Sequence, residues 1–199
     1  MSLEHGDRAA RPAVFLDRDG VLNEVVLDGD VARGPATVAD LVIAPDAPAA
    51  VDRLRALGYV LIVVTNQPDI ARGHTTQADV DAVHRALRAV LAVDDVLWCP
   101  HDGAEGCACR KPAPGMLLEA AERHGLDLSA SWLIGDRWVD LAAARAAGVR
   151  PVLLERPWSW SRTGAGDPPA DLVPLYASDS LARCVDHIAA AFTAPGGDG

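Results

Sequence analysis

Two pairs of aspartates carry most of the chemistry that this sequence can support. Asp17 and Asp19 stand in FLDRDGVLN, directly after the apolar run Ala13–Leu16. In extended backbone, residues two apart project to the same side, so both carboxylates face one way at a strand end. They can share a cation. They can also divide labour, one attacking an electrophile such as phosphorus while the other handles protons. Gly20 permits the sharp exit that brings main chain close to a ligand. The second pair, Asp136 and Asp140 in WLIGDRWVD, again follows an apolar run. Asp140 lies one helical turn beyond Asp136 and points back toward it. Carboxylates gathered at one edge repel one another unless a cation sits among them, and an oxygen-only ligand set suits Mg²⁺. An aspartate after a strand is also a common turn residue or helix cap. That reading does not account for two such pairs, each at the end of an apolar run.

A second cluster is of a different kind. Cys99, His101, Cys107 and Cys109 form the pattern C-x-H-x₅-C-x-C. Three thiolates and one imidazole make a closed tetrahedral set, the donor set of structural Zn²⁺, and leave no open position for catalysis. The alternative is three unligated thiols and a loop histidine. Gly103 and Gly106 help the segment fold back on itself. Cys109 lies two residues before Lys111, so zinc would fix the loop that presents Arg110 and Lys111. Cys184 falls in a helical pattern and reads as a small core residue.

These groups need a scaffold, and apolar runs alternate with helical patterns along the chain. Ala13–Leu16, Tyr59–Val64, Val96–Trp98 and Trp132–Ile134 read as strands, with weaker candidates at Pro151–Leu154 and Leu172–Val173. Helical spacing covers Pro45–Leu57, Thr76–Ala92, Pro114–His124, Trp138–Ala147 and Ser178–Phe192. Gly58, Gly125 and Gly148 close three of these helices, and Thr76 can cap another. Strand–helix alternation of this kind predicts an α/β fold, a doubly wound parallel sheet whose ligands bind beyond the C-terminal strand ends. Pro157–Pro169 reads as a loop and Thr193–Gly199 as a flexible tail.

Length and charge bound the rest. The chain of 199 residues is expected to form a single domain, residues 1–199, with its core at about 12–192 and the zinc loop at 99–109. A formal net charge of −10 argues against partners that are nucleic acid or anionic membrane. The N-terminal residues lack the apolar segment of a secretory signal, so a cytoplasmic monomer with reduced thiols is expected.

Taken in order, DRDGVLN, VVTNQ, CRKP and GDRWVD resemble the four motifs of haloacid dehalogenase (HAD) superfamily phosphatases, over about Val14 to Gly148. The nearest pattern is subfamily IIIA, which holds the heptose bisphosphate phosphatases and the histidinol-phosphatase domain. The resemblance implies a Rossmann-like HAD core without a large cap domain. It implies Asp17 as the nucleophile that forms an aspartyl-phosphate, and Asp19 as the acid and base. Asp17, the main-chain carbonyl of Asp19, and Asp136 would hold Mg²⁺, with Asp140 behind them. Thr65 and Asn66 would donate to the transferring phosphoryl group, with Gln67 beside them, and Lys111 would lie against nucleophile and phosphate. Arg72 would bind a second phosphate or only cap its loop, and Arg110 would contact the remaining body of the substrate or lie as an exposed surface arginine. The chain departs from the heptose enzymes at Pro68 and Asp69, where they carry Ser-Gly, and in Val25–Pro35, which lacks their His-Gly-Tyr-like pattern. The implied substrate is a small phosphorylated metabolite, first a heptose 1,7-bisphosphate losing its 7-phosphate. Histidinol phosphate or another sugar phosphate is the alternative, and a non-catalytic binding module is the alternative of another class.

Overall fold

The computed structural model describes residues 10–28, 31–162 and 166–192. Its central sheet is assembled from the β-branched and apolar runs: β1 (Ala13–Leu16), β4 (Val60–Asn66), β5 (Asp95–Cys99), β6 (Trp132–Gly135), β7 (Arg150–Leu154) and β8 (Tyr176–Ser178). A separate antiparallel hairpin, β2 (Val26–Asp28) and β3 (Val31–Arg33), leaves the chain just after β1. Among the described residues, five α-helices lie between or after the strands: α1 (Ala47–Ala56), α2 (Gln77–Val90), α3 (Gly115–His124), α4 (Trp138–Ala147) and α5 (Leu181–Ala190).

The sheet order is β5-β4-β1-β6-β7-β8, and every pairing in it is parallel. β1 sits centrally and is buried on both faces, which is why it is uniformly apolar. Val14 and Leu16 pack toward Val51 and Leu54 of α1 and Val185 and Ile188 of α5. Ala13 and Phe15 face the other way, toward Met116 and Leu117 of α3 and Ala143 of α4. The fold is thus the doubly wound sheet expected from the alternation. The chain runs outward from β1 through β4 to β5, then crosses back to β6 and runs outward the other way. That reversal opens a crevice at the C-terminal ends of β1, β4 and β6.

Local signals explain most element ends. Thr76 Oγ1 accepts from Asp79 N at 3.2 Å to start α2. α3 and α4 stop at Gly125 and Gly148, which take left-handed φ of 62° and 73°. The structure corrects the strand expected at Leu172–Val173. Leu172 is buried against Trp138, Leu141 and Leu153 without joining the ladder, while Val173 is exposed. The edge strand is β8, four residues further on. The β2–β3 hairpin was not anticipated, although Asp-Gly between two apolar-rich runs is a hairpin signal. β4 runs on through Thr65 and Asn66, which pair with Trp98 and Cys99. The expected tail at Thr193–Gly199 lies outside the described residues. Among the described residues, no helix is long and apolar enough to cross a membrane.

Candidate active site and zinc cluster

β1, β4 and β6 deliver their chemistry to the crevice. Asp17 follows the last residue of β1, Thr65 sits near the end of β4, and Asp136 follows β6. Lys111 comes from the segment between β5 and α3. Its ammonium is buried, 2.9 Å from Asp17 Oδ1, 2.6 Å from Asp140 Oδ1 and 2.8 Å from the carbonyl of Val64. Asp140 lies in the first turn of α4, where its Oδ2 accepts from Arg137 N at 3.0 Å and completes a capping interaction. Two glycines make the packing possible. A Cβ on Gly20, where φ is +83°, would lie 2.2 Å from Asp136 Oδ2, and one on Gly135 would lie 2.2 Å from Asp140 Cβ.

Asp17, Asp136 and Asp140 bring one carboxylate oxygen each within 4.8 Å of one another. All three side chains are buried, and Asp136 Oδ1 has no hydrogen-bond partner. Burial pushes the Asp17 carboxyl up to about 7; Lys111 opposes the rise, while Asp140 and Asp19 add to it. Burial, then the charges of Asp17 and Asp140, raises Asp136 well above the usual carboxylate range. Burial alone would lower the Lys111 ammonium, but Asp140 and Asp17 outweigh it and hold the proton on. One ammonium therefore faces three buried carboxylates. An orphaned, buried carboxylate oxygen within such a set of hard donors fits a small divalent cation.

Asp19 sits apart from this centre in a clamp of its own. Arg18 is fully buried and binds it with both Nε (2.9 Å) and Nη2 (3.0 Å), while Asn23 Nδ2 (3.0 Å) and Gln67 Nε2 (2.9 Å) add two more donors. Burial would raise the Asp19 carboxyl, but the Arg18 charge and these hydrogen bonds outweigh it and lower it. Arg18 Nη1 in turn lies 3.0 Å from His84 Nε2. Gln67 also donates to Thr65 Oγ1 at 2.9 Å, so its amide hydrogens are spent on Asp19 and Thr65. Asn66 spans the main chain of Lys111: its Nδ2 donates to Lys111 O, and its Oδ1 accepts from Lys111 N, both at 3.0 Å. At most one amide hydrogen of Asn66 remains for a ligand, so its first task here is to hold Lys111 in place.

Arg72 and Arg110 line the rim of the same cleft with Arg33 and Arg137. Arg72 grips Asp102 with Nε at 2.9 Å and Nη2 at 2.8 Å, and Arg110 Nη1 donates to His101 O at 3.0 Å. Asp69 Oδ1 is approached by Arg33 (3.6 Å), Arg72 (3.5 Å) and His74 (3.4 Å), which links the hairpin to the loop after β4. Sequence reasoning passed over Arg18, Asn23 and Trp158. Trp158 Nε1 donates to Asp136 Oδ2 at 2.5 Å, and Ser159 Oγ donates to the Asp136 carbonyl at 2.6 Å. Arg18 carries no local sign of burial, and Trp158 lies in the stretch read only as a loop.

Beyond the cleft, Cys99, His101, Cys107 and Cys109 converge. Cys109 Sγ lies 3.1 Å from Cys99 Sγ and 3.5 Å from Cys107 Sγ, and His101 Nδ1 lies 3.4 Å from Cys99 Sγ and 3.3 Å from Cys109 Sγ. All four cysteines of the chain are free thiols. A tetrahedral zinc with Zn–S of about 2.3 Å sets its ligand atoms about 3.5–3.8 Å apart, so the cluster could hold that ion.

Comparison with known proteins shows which family the chain belongs to. Residues 108–157 match the family model described as HAD-hydrolase-like. A D-glycero-beta-D-manno-heptose-1,7-bisphosphate 7-phosphatase of Pseudomonas aeruginosa is 41% identical over 151 residues, 73% of this chain and 82% of the relative. The chain belongs to this family of HAD hydrolases. A family member from Thermosynechococcus vestitus, a D-glycero-D-manno-heptose-1,7-bisphosphate 7-phosphatase, is 36% identical over 89% of this chain and 95% of its own length. Among solved structures, the D,D-heptose 1,7-bisphosphate phosphatase of B. bronchiseptica, crystallised with magnesium and phosphate, superposes with a TM-score of 0.74 at 30% identity, covering 91% of this chain and 99% of that one. The chain is thus a HAD-type phosphatase, and its parallel central sheet with flanking helices agrees with that solved fold.

Proposed function

We propose that this chain removes the 7-phosphate of D-glycero-D-manno-heptose 1,7-bisphosphate, as a cytoplasmic, single-domain, Mg²⁺-dependent enzyme that passes through an aspartyl-phosphate on Asp17. The observation that supports this most is the buried Lys111–Asp17 pair beside the orphaned oxygen of Asp136. Family membership supplies the substrate, since relatives covering most of the chain carry that activity in their names.

The residues support a two-step displacement. Asp17 Oδ1 accepts from Arg18 N at 2.8 Å and from Lys111, which fixes the carboxylate before substrate arrives. A carboxylate approaching a phosphoryl dianion is repelled, and the Lys111 ammonium offsets part of that repulsion. Mg²⁺, held by Asp17, the main-chain carbonyl of Asp19 and Asp136, would supply further charge neutralisation at the phosphoryl oxygens. As the carboxylate oxygen of Asp17 bonds to phosphorus, the bond to the sugar oxygen breaks and Asp19 gives that oxygen a proton. Water then attacks phosphorus, Asp19 takes its proton, and inorganic phosphate leaves Asp17. The clamp of Arg18, Asn23 and Gln67 favours the Asp19 anion, so Asp19 turns out of it to act as an acid. Thr65 and the rim arginines Arg72 and Arg110 bind the substrate. The Cys/His cluster holds a structural Zn²⁺ that fixes the Arg110–Lys111 segment.

Phosphate release tests this reading, with the heptose bisphosphate, histidinol phosphate and a set of sugar monophosphates, each with and without Mg²⁺. The heptose bisphosphate should give the highest kcat/KM and one equivalent of phosphate, and Asp17→Asn should be inactive. Preference for histidinol phosphate would end the substrate assignment while leaving the chemistry standing. Equal rates in wild type and Asp17→Asn would end the mechanism. Silence on every ester would make the chain a binding module.

A further inference from the structure

The segment Trp158–Ser161 lies outside all four motifs, yet hydrogen bonds tie it to Asp136 and to Trp138 at the start of α4. Trp158 Nε1–H reaches Asp136 Oδ2 at 2.5 Å. Ser159 Oγ–H reaches the main-chain carbonyl of Asp136 at 2.6 Å, and the Ser159 carbonyl accepts from Trp138 N at 2.9 Å. The Ser161 carbonyl accepts from Trp138 Nε1 at 3.0 Å. The segment is therefore pinned to the start of α4, and its reach to Asp136 is set by main-chain anchors.

Asp136 is divided by this contact. Oδ2 lies between the indole N–H of Trp158 and the bare Cα of Gly20, where a Cβ would sit 2.2 Å away. Oδ1 is buried and unpartnered, in the same carboxylate group as Asp17 and Asp140. A carboxylate has two oxygens and one soft torsion. Fixing one oxygen with a directional donor therefore fixes where the other points.

We infer that Trp158 is a positioning residue for the cation site: its indole N–H holds Asp136 Oδ2 so that Oδ1 is aimed among the carboxylates before the ion arrives. The inference rests on the reading of Asp136 as a Mg²⁺ ligand. Such outer partners of ligating carboxylates are worth about 10–100-fold in metal affinity, because the ligand loses no orientational freedom on binding. An aromatic donor suits this place, since it orients the carboxylate without adding a positive charge that would repel the ion.

Calorimetric titration of Mg²⁺ into the zinc-loaded, phosphate-free protein tests it. Wild type and Trp160→Phe, which alters the exposed neighbouring indole, should bind Mg²⁺ alike. Trp158→Phe should bind it about 10–100-fold more weakly, with zinc content and far-ultraviolet circular dichroism unchanged. Equal affinity in wild type and Trp158→Phe overturns the inference and leaves the Mg²⁺ reading intact. A wild type that takes up no Mg²⁺ overturns both. Should Trp158→Phe fail to fold, the wild type carries the test by nuclear magnetic resonance. The Trp158 indole proton should shift as Mg²⁺ is added, and a resonance that does not move overturns the inference.

Discussion

Replacing Lys111 by methionine removes the ammonium and keeps much of the buried stem. The clamp of Asn66 on the Lys111 main chain survives, because both of its hydrogen bonds are to backbone atoms. What is lost is the ammonium facing Asp17 at 2.9 Å and Asp140 at 2.6 Å. At an effective dielectric constant of about 20, a unit pair at such a distance is worth about 6 kcal/mol before desolvation is set against it. Removing one partner of a buried pair costs about 3–5 kcal/mol net, which is the expected fall in unfolding free energy. The loss depends on pH with a definite sign. Asp17, with its carboxyl raised to about 7, is ionised in the wild type at pH 8. Without Lys111 its proton affinity rises further, so the variant escapes part of the penalty by protonation at pH 6. Urea denaturation without Mg²⁺ should therefore show a larger difference between wild type and variant at pH 8 than at pH 6. Turnover should fall by at least about 10²–10³-fold, the scale for deleting one preorganised electrostatic group. A variant within about tenfold of wild-type kcat, and within about 1 kcal/mol of its stability at pH 8, would refute the argument that this ammonium balances the site.

Three further outcomes follow from the same geometry. Gly20→Ala puts a Cβ where Asp136 Oδ2 now sits, at a φ of +83°, so Asp136 must move; Mg²⁺ affinity measured by calorimetry should fall at least about tenfold, and an unchanged value would contradict the close packing described. Cys109→Ser should lose stoichiometric zinc by elemental analysis and, if the ion contributes about 3 kcal/mol, lower Tm by about 6–12 °C; a melting curve identical to wild type would deny the cluster a structural role. Without Mg²⁺, the raised Asp17 carboxyl contributes stability that is present below the unfolded-state value near 3.8 and is lost as pH rises through about 7. Mg²⁺ favours the ionised form, so the Tm increment on adding it should be larger at pH 8 than at pH 5; increments that do not change with pH would argue against binding at Asp17.

What was legible in the sequence, and what was not, divides along a physical line. The convergence of Asp17 with Asp136, and of the cysteines with His101, could be anticipated because each stands at a strand end or in a tight spacing, where local geometry alone aims the side chain. The parallel sheet was legible because β1 and β4 are short apolar runs, rich in β-branched residues in β4, that alternate with helical patterns. Leu172–Val173 misled because an apolar pair can be buried through one member alone. Arg18 and Trp158 were missed because their partners are set by tertiary packing. Arg18 looks like any exposed arginine until the fold closes around it and Asp19. Asn66 was expected to point at the phosphoryl group, but the return of the Cys/His loop beside β4 gives its amide two main-chain partners first.

The same distinction bears on Pro68 and Asp69, which line the mouth of the cleft without belonging to the carboxylate group beneath it. Lys111 and the three buried carboxylates form a mutually dependent charge set, so removing the ammonium leaves buried charge unpaired at a cost of several kcal/mol. The rim is built differently. Asp69 meets Arg33, Arg72 and His74 at 3.4–3.6 Å in partly exposed pairs, and Asp102 takes the other side of Arg72. Exposed pairs of this sort contribute about 0–1 kcal/mol each. They can be exchanged with little effect on folding, but each exchange removes a partner that holds a guanidinium at the mouth of the cleft. Replacing Asp69 by Ala is therefore expected to change which phosphate ester is held, through Arg33 and Arg72, and to leave the step at phosphorus alone, as kcat/KM across a set of esters would show.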